Sequence, residues 1–393
     1  MDVLSVSRVL RCECTHHAWV ILHDPTGERV VNVLVGAEIG RAIAAELGPG
    51  AVVGYLGTAR GLEARLVPEA GLPFYPVPAT GALGKGAGAL PGAALRALRG
   101  WAHALRLIRR LRPDVVVGTG GYVTGPVGLA AVTAGIPLFI LEENARPGLT
   151  NRMLARFARH VAVPWAEAAA GFPPRVRTKV VVTGNPVRRE VVEADRAAAR
   201  AALGLDPQAP VVVVVGGSQG AQAINEQVLA LVRERELWPA PAQLVWATGP
   251  RYHASLLARL GEVPAWAHVV PYIDDMPAAY AAADVVVARA GAMTVAEITA
   301  RGVPAVLVPS PNVTADHQTA NARVLADRGA ALLLPEGALP ALGPTLRELL
   351  ADPGRRAEMA RASRSLGRPD AAAVLAALVV RDAGRAARAG ARP

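Results

Sequence analysis

The sequence predicts an α/β protein of two domains, each built on a parallel β-sheet. Short valine-rich runs alternate with helical stretches along 393 residues, a length that allows two domains. Two of these runs end in glycine loops, in VVVGTGGYVTGP and VVVVVGGSQGAQ. A proline-rich, charged segment, Phe172 to Val191, separates the two loops and is typical of a link between domains. Ligands of parallel sheets bind beyond the carboxyl ends of the strands, so the loops predict a cleft between the domains.

The strands are predicted from buried apolar runs and the helices from apolar residues that recur every three or four positions. Strands are expected at Val52–Leu56, Val115–Val117, Pro137–Leu141, Val180–Val182, Val211–Val215, Gln243–Ala247, Val269–Tyr272, Val285–Ala288 and Ala305–Pro309. Helices are expected at Gly40–Leu47, Ala94–Leu111, Val127–Ala134, Thr150–Ala158, Ala221–Glu234, Met276–Ala282, Thr294–Ala300 and Asp316–Arg328. The run Val211–Val215 has no polar alternation, which predicts a strand buried on both faces.

The two ends of the chain differ from this pattern. AWVILHDPTGERVVNVLV, near the amino terminus, predicts a β-hairpin whose two apolar runs are joined by a type I turn. The carboxyl-terminal RDAGRAARAGARP is basic and poor in large apolar residues, which favours disorder. The predicted division is an atypical segment 1–39, a first domain 40–171, a linker 172–191, a second domain 192–376 with a carboxyl-terminal helix, and a basic tail 377–393.

Composition narrows the class of partner. The net charge of +10 suits an anionic partner. Nucleic acid is not expected, because aromatic residues make up only 4% and no basic segment with interleaved aromatic residues occurs. Cys12 and Cys14 indicate a reducing compartment, and they predict no metal site because no second ligand pair follows at zinc-like spacing. No apolar signal-peptide core occurs at the start, and glycines and Pro137 interrupt the uncharged stretch 115–141, which therefore predicts no membrane span.

The loop after Val215 has the features of a phosphate-binding turn. Gly216, Gly217 and Gly220 allow a sharp turn and a close approach to a ligand. Ser218 is predicted to cap the helix that follows, and the free N–H groups of a helix start attract anions. A tight strand-to-helix turn without a ligand fits this loop equally well.

Six segments taken together are more specific than a glycine loop. They are GTGGYVTGP (118–126), EENARPGLTNR (142–152), TGNPVRREV (183–191), GGSQGAQAIN (216–225), YIDDMPAAYAAADVVVARAGAMTVAE (272–297) and DHQTANA (316–322). In this order they resemble the MurG family of bacterial glycosyltransferases over roughly Gly40 to Ala376. The resemblance implies a GT-B fold, two Rossmann-like domains with the active site between them. It also implies inverting transfer of N-acetylglucosamine from UDP-GlcNAc to lipid I, forming lipid II without a metal or another cofactor, on the cytoplasmic face of the membrane.

The resemblance assigns roles residue by residue. It implies a UDP-GlcNAc site made of Asn144, Arg188, Ser218, Ile273, Ala292, Met293, Thr294, Val295, Ala296, Glu297 and Gln318, and an acceptor-diphosphate site made of Gly120, Gly121 and Tyr122. In this assignment Glu297 accepts hydrogen bonds from the ribose, the Ile273 backbone frames the uracil and Ser218 holds the diphosphate. Asn144 and Gln318 bind the sugar, and Arg188 adds positive charge near the nucleotide.

Three alternatives to these roles come from the residues themselves. Thr294 and Glu297 have the spacing of a capping box at a helix start. Arg188 also suits a salt bridge within the linker. The pair Asp274–Asp275 precedes a helix and is predicted to cap it rather than to bind a metal.

The amino-terminal part departs from the family. MurG proteins begin with a strand and a GGTGGH-type loop whose histidine is often assigned as the catalytic base. Here the corresponding stretch is VVNVLVGAEIGRAIAAEL, in which the loop is reduced to Gly36-Ala37-Glu38. The base is therefore unknown, with Glu142 and Glu143 as candidates, and Glu143 stands where the family usually has glutamine. A UDP-GlcNAc-binding protein without turnover is the alternative function.

The helix predicted over 94–113 is a candidate membrane contact. Its apolar face is formed by Leu95, Leu98, Trp101, Ala102, Leu105 and Ile108, and its flanks carry Arg96, Arg99, Arg106, Arg109 and Arg110. Such a helix suits an anionic lipid surface. An ordinary domain helix with a solvated basic face shows the same pattern.

Overall fold

A computed structural model describes residues 17–21, 39–43, 45–46, 52–59, 64, 67–68, 71–79, 90–234, 238–313 and 316–390. It contains two parallel sheets connected by helices. Among the described helices, none is both long and apolar enough to cross a membrane.

The first sheet has seven strands in the order β3-β2-β1-β4-β5-β6-β7. They are β1 (His17–Ile21), β2 (Val52–Gly57), β3 (Phe74–Pro76), β4 (Val115–Gly118), β5 (Leu138–Leu141), β6 (His160–Val163) and β7 (Val180–Val182). Its helices are α1 (Leu90–Leu111), α2 (Gly121–Thr133), α3 (Leu149–Leu154) and α4 (Pro174–Arg177), with a 3₁₀ helix at Ala166–Gly171. Residues 39–43 and 45–46 are also helical, as predicted for that region.

The second sheet has six strands in the order β10-β9-β8-β11-β12-β13. They are β8 (Val211–Val215), β9 (Gln243–Ala247), β10 (Ala267–Val270), β11 (Val285–Ala288), β12 (Ala305–Leu307) and β13 (Ala331–Leu333). The helices are α5 (Arg189–Glu193), α6 (Arg196–Ala202), α7 (Gln222–Arg233), α8 (Pro250–Leu260), α9 (Met276–Ala282), α10 (Ala292–Arg301), α11 (His317–Ala326), α12 (Leu342–Ala351), α13 (Pro353–Leu366) and α14 (Ala371–Gly390), with a 3₁₀ helix at Glu336–Ala341.

The valines of β8 are buried on both faces of the second sheet, as predicted. Val211, Val213 and Val215 pack in one apolar cluster together with α9 and α10. Val212 and Val214 pack in a second cluster with α7 and α12. Helices on both faces leave no side of this strand for water, which is why its sequence shows no polar alternation.

The strand order places the binding edge of each sheet. In the second sheet β8 pairs with β9 on one side and with β11 on the other. Chain connections therefore diverge between β8 and β11, and ligands of doubly wound sheets bind at such a point. In the first sheet the corresponding point lies between β1 and β4, where Ile21 is in register with Gly118.

Two predictions, the amino-terminal hairpin and the linker, are corrected by this topology. Both edges of β1 are taken by the parallel strands β2 and β4, so β1 has no edge for an antiparallel hairpin partner. The second arm of the predicted hairpin lies outside the described residues. β7, inside the predicted linker, pairs with β6 and extends the first sheet.

The predicted disordered tail also differs from the structure, in which α14 continues to Gly390. Leu375, Ala376 and Val379 are buried with Val115 and Phe139 of the first sheet. The carboxyl-terminal helix thus returns from the second half of the chain to cover a face of the first sheet, because its apolar residues need a buried partner surface. The exact domain boundaries stay a prediction.

Candidate functional site

The loop after β8 is tightly constrained by its glycines. Gly217 and Gly220 have φ angles of +87° and +77°, which other residues rarely adopt. A Cβ atom on Gly220 would lie 2.2 Å from the carbonyl oxygen of Thr248, in the loop after β9. The loops after β8 and β9 are therefore pressed together at the binding edge, and a side chain at Gly220 would separate them.

Ser218 lies at the tip of this loop and does not cap the helix. α7 begins at Gln222, its N-cap is Ala221, and no side chain caps it. The predicted cap is therefore wrong: the turn through Gly220 adds residues between Ser218 and the first helical N–H groups. A role of Ser218 toward a ligand stays a prediction.

The helix after β11 presents its amino terminus at the same edge. α10 has Gly291 as its N-cap, without a side-chain cap, and starts at Ala292 rather than at the predicted Thr294. The first N–H groups of a helix lack acceptors within the helix, so Ala292, Met293 and Thr294 offer donors to an anion. Val295 and Ala296 are buried and pack the helix against its surroundings.

Glu297 is the sixth residue of α10 and forms no capping box with Thr294. Its Oε1 accepts a hydrogen bond from Nη2 of Arg188 at 3.1 Å, and the hydroxyl of Tyr280 is also hydrogen-bonded to it. Burial raises the pKa of Glu297, and the charge of Arg188 offsets part of that effect. The Glu297 side chain, held by two donors and 14% exposed, is placed to accept hydrogen bonds from a polar ligand.

Arg188 forms a salt bridge, as one alternative predicted. Its partner, Glu297, lies in the other half of the site rather than in the linker. The Arg188 side chain is 21% exposed, and its Nε–H is buried without a hydrogen-bond acceptor among the described residues. The charges of Arg188 and Glu297 both influence Tyr272, whose pKa is raised mainly by burial. Ile273, the next residue, is therefore close to this pair and is itself buried.

Asp275 caps α9, as predicted. Its Oδ1 accepts a hydrogen bond from the N–H of Ala278 at 2.9 Å. The structure contains no group of three or more potential metal ligands within its described ranges, and Cys12 and Cys14 lie outside them.

Glu142 organises the loop after β5. Its Oε1 accepts from the N–H of Asn144 at 3.0 Å and from Nδ2 of Asn144 at 3.3 Å. Its Oε2 accepts from the N–H of Gly148 at 3.0 Å and from Nδ2 of Asn151 at 2.9 Å. Burial raises the pKa of Glu142, and these donors lower it in part. With both oxygens engaged, Glu142 is built to hold this loop rather than to take a proton from a substrate.

The neighbouring acid, Glu143, is also buried, and its carbonyl oxygen accepts from Nδ2 of Asn185 at 2.8 Å. That bond joins the EEN segment to the NPVR segment. A catalytic role of Glu143 stays a prediction.

The glycine loop of the first sheet lies beside the Glu142 network. Gly120 and Gly121 have φ angles of +103° and +80°, and the hydroxyl of Thr124 donates to the carbonyl of Gly120. A Cβ atom on Gly120 would lie 3.6 Å from Nδ2 of Asn151. Tyr122 is in the first turn of α2, and its side chain lies outside the described part.

Two residues of α11 reach the cleft from the second half. Oε1 of the buried Gln318 accepts from the N–H of Ser310 at 2.8 Å, which anchors one end of its amide. One turn later, Asn321 bonds Asn144, Ala145 and Ala290. Asn321 thus joins α11 to the loop that carries Asn144, and the sugar-binding roles of Gln318 and Asn144 stay a prediction.

Sequence reasoning missed Tyr280, Asn321, Asn151 and Asn185 as members of the site. Each lies inside a segment that carried the resemblance, and Asn321 follows Gln318 at helical spacing. That spacing was the available signal for Asn321, because residues three apart share a helix face.

Two Rossmann-like sheets, with glycine loops and a helix amino terminus at their binding edges, define the GT-B fold. Comparison with known proteins identifies the family. The Glycosyltransferase family 28 N-terminal domain matches residues 38–163, and the C-terminal domain of the same family matches residues 211–375. The chain belongs to the MurG family of this group.

Similar proteins cover nearly the whole chain. A protein of Symbiobacterium thermophilum is 44% identical over 92% of this chain and 95% of its own length. A protein of Salinibacter ruber is 45% identical over 89% of this chain and 93% of its own length. Both are named UDP-N-acetylglucosamine–N-acetylmuramyl-(pentapeptide) pyrophosphoryl-undecaprenol N-acetylglucosamine transferase. The crystal structure of Acinetobacter baumannii MurG superposes with a TM-score of 0.73 at 30% identity, covering 93% of this chain and 99% of that one.

Proposed function

We propose that this chain transfers N-acetylglucosamine from UDP-GlcNAc to the lipid-linked muramyl-pentapeptide, converting lipid I to lipid II. The observation that carries the proposal is the cluster of Glu297, Arg188 and Tyr280 beside the amino terminus of α10. The names of the similar proteins support the same reaction, and no comparison favours the alternative of a binding protein without turnover.

The donor diphosphate would lie between the loop after β8 and the start of α10. Both supply backbone N–H groups at the point where the connections of the second sheet diverge. Ser218 would add a hydroxyl, and Arg188, with its Nε–H still lacking an acceptor, would add positive charge. The ribose hydroxyls would donate to Glu297, and the backbone of Ile273 would frame the uracil.

The ribose assignment predicts a pH dependence. The pKa of Glu297 is raised, so Glu297 protonates at a higher pH than an ordinary glutamate. A protonated Glu297 cannot accept from both ribose hydroxyls while keeping Arg188. UDP affinity should therefore fall as the pH is lowered through that pKa, by about tenfold for each further pH unit.

Calorimetric titration of UDP between about pH 7 and pH 4.5 measures this effect. Glu297→Gln is the matched variant, because UDP's own titration affects both proteins equally. If wild type and Glu297→Gln show the same pH profile, the ionised carboxylate does not bind the ribose.

The reaction is a direct displacement at the anomeric carbon. The acceptor hydroxyl oxygen attacks that carbon from the face opposite the diphosphate, and the bond from the carbon to the diphosphate oxygen breaks. Configuration inverts and a β-1,4 bond forms. The N–H groups at the start of α10 would stabilise the charge that develops on the leaving UDP. The hydroxyl proton goes to a base that stays unassigned, since Glu142 is committed to its loop.

The acceptor would enter from the first sheet. Gly120 and Gly121 would face its diphosphate, with Tyr122 beside them. Asn144 and Gln318, on opposite sides of the cleft, would bind the hydroxyls and acetamide of the sugar. Transfer of labelled N-acetylglucosamine to a soluble lipid I analogue tests the whole proposal. Binding of UDP-GlcNAc without any transfer would instead favour the non-catalytic alternative.

A peripheral position on the cytoplasmic membrane surface is supported by exposed apolar side chains in the first half. Leu95 and Leu98 of α1 are 49% and 56% exposed, whereas Leu105 and Ile108 further along the helix are buried. The exposed end of α1 supports the membrane assignment, whereas its buried end packs as an ordinary domain helix. α1 packs on α2 and α2 on α3, and these elements add exposed Leu129, Leu149, Met153 and the nearby Phe157. The five arginines that flank the apolar face of α1 are all exposed.

The membrane assignment predicts charge-dependent binding. The chain should bind anionic vesicles more strongly than neutral ones, and salt should weaken that binding. Replacing both Arg96 and Arg99 by glutamine should reduce partitioning onto anionic vesicles by about thirtyfold, since each arginine near the surface contributes about 1 kcal/mol. Vesicle co-sedimentation measures it.

The contribution of apolar contact with the lipid is tested separately, by measuring vesicle partitioning of the double variant Leu95→Ser, Leu98→Ser. Val263, a 38% exposed residue following α8 in the second half, provides the control substitution Val263→Ser. Equal partitioning onto neutral and anionic vesicles would contradict the assignment.

A further inference from the structure

A cavity of about 390 Å³ opens at the edge of the second sheet opposite the glycine loop. Asp284 and Pro304, in its wall, directly precede β11 and β12, and Gly302 follows the last residue of α10. Tyr280 borders both this cavity and Glu297. Asp284 is the one acidic residue among the described residues of the wall, which also contains four arginines: Arg196, Arg301, Arg356 and Arg364. The cavity has the size of a small-molecule site and a basic lining.

The arginines are held in place by the protein itself. Each donates from Nη1 to a carbonyl at or near the carboxyl end of a neighbouring helix: Arg196 to Ala283 at 2.8 Å, Arg301 to Val192 at 2.9 Å, Arg356 to Leu349 at 2.6 Å and Arg364 to Gly302 at 3.5 Å. A Cβ atom on Gly302 would collide with Cγ of Arg364, so this side chain packs directly against the end of α10. Little side-chain ordering would therefore be needed when an anion binds.

The charge of the cavity is only partly offset. A helix carboxyl end carries about half a negative charge, which is less than the full charge of one guanidinium. Asp284 is already shared between Arg196 and Arg200, at 2.7 Å from each. Burial lowers the pKa of Arg301, and the charge of Arg196 lowers it further, against a smaller opposite effect of Asp195. Like charges are thus held close together, and an anion between them would relieve their repulsion.

The arginines also keep donors for a ligand. Every hydrogen bond that joins Arg301, Arg356 or Arg364 to a described residue uses Nη1, which leaves their Nη2 groups without such a partner. A guanidinium donates two parallel hydrogen bonds to phosphate oxygens, and this geometry favours phosphate over other anions.

The shape of the cavity narrows the class of ligand. On α13 the wall is formed by Arg356, Ala357, Ala360 and Arg364, so two alanines leave open space between two arginines. That space suits a ligand larger than one phosphate group. None of the large apolar side chains that are exposed in the described part of the chain lines the cavity, which favours a soluble ligand over a lipid.

We propose that this cavity is a second anion-binding site, which takes a soluble compound carrying two or more phosphate groups. None of its four arginines takes part in the reaction proposed above, so the site would bind its ligand whether or not the chain transfers N-acetylglucosamine. The alternative role of these arginines is to cap helix ends without binding a ligand.

Pyrophosphate is the probe, and calorimetry with UDP in excess keeps it out of the donor site. Pyrophosphate should bind more tightly than inorganic phosphate, and salt should weaken the binding. Arg364→Gln should weaken pyrophosphate binding by about tenfold or more, because it removes hydrogen bonds to a charged group. Arg364→Lys keeps the charge without the planar guanidinium and should lose less. Since the cavity variants are compared with one another, the test does not require that UDP binds.

A matched control separates a ligand site from helix capping. Arg361→Gln removes an exposed arginine from the same helix, outside the cavity wall, and should leave pyrophosphate affinity within about twofold. Arg301→Gln should show the same loss as Arg364→Gln, and thermal unfolding verifies that each variant is folded. Equal pyrophosphate affinity in all three glutamine variants would show that the arginines only cap helices and would overturn the inference.

Vesicles of phosphatidylglycerol distinguish a lipid headgroup from a free phosphate compound. Arg364→Gln and Arg361→Gln should bind these vesicles equally, because each lowers the charge of the chain by one. A loss confined to Arg364→Gln would assign the cavity to a lipid headgroup and refute the soluble ligand. Binding of inorganic phosphate as tight as that of pyrophosphate would refute a ligand with several phosphate groups.

Discussion

Replacing residues 1–39 by a strand followed by a GGTGGH-type loop should raise the rate of GlcNAc transfer by several orders of magnitude. A histidine acting as general base typically contributes ~10²–10⁴-fold. Backbone N–H groups that stabilise the acceptor diphosphate contribute about 10²–10³-fold more where they act on the transition state. Because the donor site is built from other parts of the chain, UDP-GlcNAc affinity should be nearly equal in both proteins.

The topology says where such a loop would act. Ile21, the last residue of β1, is in register with Gly118, so the chain leaves β1 at the edge that carries Gly120 and Gly121. The short segment Gly36-Ala37-Glu38 lies outside the described residues.

The measurement compares the rate of GlcNAc transfer to a soluble lipid I analogue by the unmodified chain and by the form in which residues 1–39 are replaced. A second replaced form, with GGTGGA in place of GGTGGH, separates the histidine from the glycines. Equal rates for the chain as written and the GGTGGH form would show that the loop is dispensable. Another residue would then be the base, and Glu143 would be examined first, since Glu142 has both oxygens occupied.

Glu297→Ala should weaken UDP binding by about 1–3 kcal/mol, the cost of leaving buried polar groups without their hydrogen-bond partner. Besides the ribose hydroxyls, two groups of the protein would lose a hydrogen-bond acceptor in this variant. Arg188 donates to Glu297 at 3.1 Å, and the hydroxyl of the buried Tyr280 is bonded to the same carboxylate.

Calorimetry with UDP measures the loss. Glu226→Gln is the matched control, because Glu226 also pairs with an arginine, Arg259 at 2.6 Å, but on the exposed surface of α7. Glu297→Gln keeps the shape and should lose less than Glu297→Ala. UDP affinity that is unchanged in Glu297→Ala would refute the ribose assignment.

The fold class and most of the second sheet could be predicted from the sequence. Val211–Val215, Gln243–Ala247 and Val285–Ala288 have the predicted bounds, because strands buried on both faces are continuous apolar runs. β3, β6 and β13 were not predicted: the first and the last are only FYP and ALL, and β6, HVAV, begins with a polar residue. Short edge or near-edge strands carry too few residues to show a period.

The sequence by itself determined the family and the residue types of the site, because ordered glycine loops and polar motifs are local in the chain. Only the tertiary structure decided which of these residues meet. Glu297 finds Arg188 across 109 residues and Asn321 finds Asn144 across 177, and no local pattern encodes such pairs. The structure likewise moved Ser218 out of the helix cap and returned α14 to the first sheet. Both outcomes depend on packing between distant segments: Gly220 against Thr248 in one case, and the apolar face of α14 against β4 and β5 in the other.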